Sequence, residues 1–96
     1  MRPSEVLEKN RDVIRRLVAK HKVTNPRVFG SVARGEDRED SDLDILVDTL
    51  PDTTLFDLGG LQSDLEKHLE IRIDVATSGR LRPRVRDRIM AEARVI

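Results

Sequence analysis

Gly30-Ser31-Val32-Ala33-Arg34-Gly35, followed after a polar loop by Ser41-Asp42-Leu43-Asp44-Ile45-Leu46-Val47, is the stretch on which the reading of this chain turns. Leu43, Ile45 and Val47 alternate with polar neighbours, the period of a strand with one buried face. That period puts Asp42 and Asp44 together on the opposite face. Two adjacent carboxylates repel and raise each other's pKa unless a cation compensates. Carboxylate oxygens suit Mg²⁺, which binds through one or two of them together with substrate phosphates. Upstream, Arg27-Val28-Phe29 reads as a short strand running into Gly30. Glycine permits close backbone approach to a ligand, and the amides that open a helix point at phosphate. Ser31 adds a hydroxyl, and Arg34, one turn on, a positive charge for phosphate.

Taken singly, each half has an ordinary explanation: a charged strand edge for Asp42 and Asp44, a turn with an N-cap for Gly30 and Ser31. The combination is more specific. Gly-Ser, ten residues, then Asp-x-Asp arises by chance in roughly one chain in 10³ of this length. This spelling, with Ala33-Arg34-Gly35 and Ser41 around it, resembles the signature of the minimal nucleotidyltransferases of the DNA polymerase β-like superfamily. The stretch Thr77-Ser78-Gly79-Arg80-Leu81-Arg82-Pro83 is similar to the tail of the small, stand-alone members, many of them antitoxins paired with a HEPN-domain toxin.

Outward from this stretch the pattern is α/β. Val6, Leu7, Val13, Ile14, Leu17 and Val18 recur at helical spacing and predict a helix over 4–22 with Ser4 as its N-cap. Asn25-Pro26 predicts a turn. Leu55, Leu58, Leu61, Leu65 and Leu69 form the stripe of another helix, weakened by Gly59-Gly60. Ile71, Ile73 and Val75 alternate in a third strand, and Pro83 opens a last helix. A single domain over residues 1–96 is expected: a small mixed three-stranded sheet flanked by helices, as in the nucleotidyltransferase fold.

Composition narrows the partners. Eighteen basic residues balance eighteen acidic ones, and Phe29 and Phe56 are the only aromatics. Neither a positive field nor a base-stacking platform is available, so direct nucleic-acid binding is not expected. Cysteine is absent, which excludes disulfides and thiolate metal sites. No apolar run approaches the roughly 20 residues of a membrane span, and the N-terminus lacks a signal-peptide core, so the expected location is cytoplasmic.

The resemblance implies a mechanism. Asp42 and Asp44 would hold two Mg²⁺ ions, and a third carboxylate is expected at the position matching Asp74. Gly30, Ser31 and Arg34 would take the phosphates of ATP. The acceptor would be a hydroxyl, by resemblance a tyrosine of a partner HEPN toxin. Two alternatives stand beside this: an antitoxin that silences its partner by occlusion alone, and transfer to a small molecule. The carboxylates Glu36, Asp37, Glu39 and Asp40 are expected in a solvated loop. The arginines from Arg80 to Arg88 read as a solvated or partner-facing helix surface. Val95, Ile96 and the helix from Pro83 are the expected docking surface.

Overall fold

The computed structural model describes all 96 residues. Helices α1 (Pro3–Lys9) and α2 (Arg11–Lys20) precede strand β1 (Val23–Phe29), which runs into the short helix α3 (Gly30–Arg34). Strand β2 (Leu43–Thr49), helix α4 (Leu55–Leu69) and strand β3 (Ile73–Thr77) follow. A 3₁₀ turn (Ser78–Arg80), helix α5 (Pro83–Glu92) and strand β4 (Arg94–Val95) complete the chain. The sheet order is β3-β2-β1-β4, with β2 and β3 parallel and β1 antiparallel to both β2 and β4.

The sheet therefore has four strands, where three are expected from the sequence. Strand β4 pairs only Arg94 with Val28 and Val95 with Arg27, too short a run to carry an alternation. The helix predicted over 4–22 is two helices. At Asn10 the backbone leaves the helical region (φ −127°, ψ 21°), and the amide side chain donates to the Val6 carbonyl at 2.8 Å. Asparagine competes for backbone groups in this way and so interrupts helices. Ser4 does not cap α1; the helix starts at Pro3, and the Ser4 amide is taken by Asp37. Asn25-Pro26 is a bulge inside β1, marked by a register shift and a left-handed Asn25 (φ 55°). A bulge is one of the few places a strand tolerates proline.

One face of the sheet carries the core. Ile14, Leu17 and Val18 from α2 and Leu61, Leu65 and Leu69 from α4 pack on Leu43, Ile45 and Val47, whose own exposure is nil. Thr54 caps α4 reciprocally with Asp57, its hydroxyl accepting from the Asp57 amide. Gly60 lies under the His21 ring: a Cβ there would press within 3.1–3.2 Å of the imidazole. That ring in turn reaches Asp64 at 2.6 Å, fastening α2 to α4. The intermediate residues of β2, Asp44 and Asp48, emerge on the face away from this core, beside buried Leu46. The alternation of β2 is what delivers the carboxylates to the other side.

Candidate active site

Each functional side chain is placed by a strand register. Asp44 sits opposite Phe29 on antiparallel β1, and beside Asp74 on parallel β3. Asp42 immediately precedes β2. The structure thus gathers Asp42, Asp44 and Asp74 at one end of two adjacent strands, with the β1–α3 turn above them. Arg72, which precedes β3, pairs with Asp42 (Nε to Oδ1, 2.9 Å) and donates to the Asp40 carbonyl.

The electrostatics follow from the crowding. Asp44 is half-buried, and its carboxyl is pushed up to about 6, first by burial and then by the charges of Asp74 and Asp42. Arg34 opposes this shift, and Glu92 adds to it. The uncompensated negative charge fits a bound divalent cation. The three side chains do not converge into a ready-made cage, since no group of three His, Asp or Glu stands at metal-holding distances. Asp42 is half-exposed and paired with Arg72.

Gly30 adopts a left-handed conformation (φ 72°), and a Cβ there would overlap the Asp44 Oδ2. Only glycine lets the turn lie this close to the carboxylate. Ser31, half-buried, follows as the second residue of α3, and Gly35 (φ 72°) ends the helix. The Gly30 amide donates to Glu92 Oε1 at 3.0 Å. Arg34 Nη1 donates to Glu92 Oε2 at 3.0 Å, and Arg34 Nε to Glu36 at 3.2 Å.

Sequence reasoning missed two carboxylates. Glu92, 62 residues from Gly30, belongs to no local pattern. Asp37, expected in a solvated loop, is buried and accepts the Ser4 amide at 2.9 Å, capping α1. Burial works against its charge, but hydrogen bonds from Ser4 hold it below the usual carboxylate range. Ile96 lies in the core and is no docking residue, whereas Val95 is 75% exposed. The largest cleft, about 370 Å³ between α4 and the edge of β3, is lined by Leu55, Leu58, Val75 and Leu81 and by none of the three carboxylates. The carboxylates lie on an open shelf. No helix is long and apolar enough to cross a membrane.

Comparison with known proteins agrees with this fold. Residues 10–96 match the Nucleotidyltransferase domain family. A Methanocaldococcus jannaschii protein named, provisionally, as protein adenylyltransferase MJ0435 is 42% identical over 77 residues, 80% of this chain and 83% of that protein. The protein adenylyltransferase MntA of Thermococcus cleftensis is 38% identical over 65 residues, 68% of this chain and 66% of that one. A solved structure described, provisionally, as a minimal nucleotidyltransferase superposes with a TM-score of 0.88 at 43% identity, covering 97% of this chain and 95% of the other. A toxin–antitoxin structure with AMP-PNP shares the fold at 19% identity, with a TM-score of 0.78 over 90% of this chain and 71% of that one. A family model spanning most of the chain, relatives of about 40% identity and a shared fold lead to one conclusion: this chain belongs to the nucleotidyltransferase domain family, and it is a nucleotidyltransferase.

Proposed function

We propose that this chain transfers AMP from ATP to a hydroxyl of a partner protein, a tyrosine of a HEPN-type toxin, and thereby acts as its antitoxin. The observation that carries the reading is the register pairing of Asp44 with Asp74 beneath the bare Gly30, with Asp42 at the edge. Relatives named as protein adenylyltransferases support the acceptor class, and structural neighbours described as toxin–antitoxin pairs support the setting.

In this mechanism Asp42 and Asp44 would hold the divalent metal, with Asp74 as the third ligand. Mg²⁺ held there, two ions in this reading, would supply charge neutralisation at the triphosphate and a lowered pKa for the acceptor hydroxyl. Ser31, on the turn that Gly30 makes, and Arg34 would hold the phosphates, the Gly30 amide itself being taken by Glu92. The hydroxyl gives up its proton to solvent as its oxygen bonds to the α-phosphorus, the bond to the bridging oxygen breaks, and pyrophosphate leaves. Positioning and electrostatic stabilisation supply most of the rate. An open shelf suits an acceptor delivered by another protein. Occlusion without transfer remains the second reading, and the exposed Val95 favours docking in either case.

Calorimetric titration with ATP tests the donor side. Binding that requires Mg²⁺ in the wild type and is lost in folded Asp42→Asn/Asp44→Asn supports it. Equal, metal-independent binding by both proteins would sink the two-metal assignment.

A further inference from the structure

We propose that Glu92, at the end of α5, is a positioning residue that holds both the Gly30 turn and the Arg34 guanidinium in place for the donor phosphates. The inference rests on the nucleotide reading above and deepens it. Its basis is one carboxylate with both oxygens used. Oε1 accepts the Gly30 amide and Oε2 accepts Arg34 Nη1, each at 3.0 Å. The side chain is only 20% exposed, so these bonds are partly shielded from water.

Arg34 is gripped from two sides, by Glu36 on Nε and by Glu92 on Nη1. Guanidinium carries five N–H donors in a rigid fork. Fixing it through Nε and Nη1 leaves the Nη2 edge for a phosphate, with little rotamer freedom left to lose on binding. Gly30 must pass over Asp44 closely enough to exclude a Cβ, and its amide is tied to the same Glu92. One residue thus sets both the turn and its cation. Helix α5 packs on α3 and β1, and β4 immediately after it is pinned to β1. That anchoring makes Glu92 a fixed post, as a residue holding others in place must be.

Glu92→Gln keeps an acceptor for Gly30 and gives up the charge that holds Arg34; Glu92→Ala gives up both. MgATP titrations of wild type, Glu92→Gln, Arg34→Ala and the double variant form a cycle. Glu92→Gln is expected to weaken binding about tenfold when Arg34 is present, and less than about twofold when it is alanine. Binding as tight as, or tighter than, wild type in Glu92→Gln would overturn the proposal, as would equal losses in both backgrounds. Amide hydrogen exchange decides the holding role without nucleotide. In Glu92→Ala the Gly30 amide should exchange at least about tenfold faster while the Ile45 amide in mid-sheet is unchanged, and an unchanged Gly30 would overturn the proposal. A wild-type protein that fails to bind MgATP counts against the nucleotide reading, and the exchange result then decides the role of Glu92 alone.

Discussion

Asp44 and Asp74 are direct partners across a parallel strand pair, so the fold holds two carboxylates side by side on one face. The arrangement stores electrostatic repulsion that folding alone does not relieve.

The first prediction follows from the sign of that repulsion. Asp44 is raised to about 6 in the folded protein, above the roughly 3.9 of an unfolded aspartate. The folded state therefore holds the proton more tightly. Its stability is highest with Asp44 protonated and falls as pH rises from about 4 through about 6. Without divalent metal, Asp44→Asn should be more stable than wild type above pH 6, by about 1–2 kcal/mol after discounting for solvent screening, with the advantage fading toward pH 4. Urea unfolding across pH 4–7 reads this directly. A pH-independent difference between the two proteins would remove the electrostatic account.

Gly30 and Gly35 share a φ of 72° but not their surroundings. A Cβ at Gly35 meets nothing within 4 Å, whereas one at Gly30 overlaps the Asp44 carboxylate. Gly35→Ala should lose about 1–2 kcal/mol from the left-handed backbone alone. Gly30→Ala should lose more and displace Asp44. Unfolding midpoints of the two variants compare them, and equal losses would mean that the close approach carries no energetic weight.

Asp37 ties the polar loop to the start of α1. Asp37→Ala should cost about 1–2 kcal/mol, the range for a lost cap. Because its folded pKa is lowered, the contribution is present above the unfolded value near 4 and is lost as pH falls through the folded one. An Asp37→Ala protein as stable as wild type at pH 7 would show that the loop is held by other contacts.

Asp74→Asn should slow transfer more than it weakens nucleotide binding. In the proposed mechanism its metal activates the acceptor rather than gripping the triphosphate. Turnover equal to wild type would reduce Asp74 to a surface carboxylate.

The fold class was legible because β2 and α4 carry strong periods, and the Asp-x-Asp register followed directly from the strand alternation at Leu43, Ile45 and Val47. The Gly30 turn was legible because the approach to Asp44 demands glycine. What escaped has a physical reason in each case. Strand β4 is two residues long and exists only by pairing with β1. Asn10 breaks a helix whose apolar spacing continues on either side. Asp37 and Glu92 lie in charged stretches, and their partners, 33 and 62 residues away, are found only by folding.

The central claim is transfer of AMP to a partner protein by the Asp42–Asp44–Asp74 shelf. Its most direct measurement mixes the chain with the product of the neighbouring gene, ATP and Mg²⁺, and follows the partner's intact mass. The account predicts a gain of one or more AMP units that disappears in the Asp42→Ala/Asp44→Ala protein. A complex that forms and silences the partner with no change in mass, and equally well with the double variant, would contradict it and leave occlusion as the function.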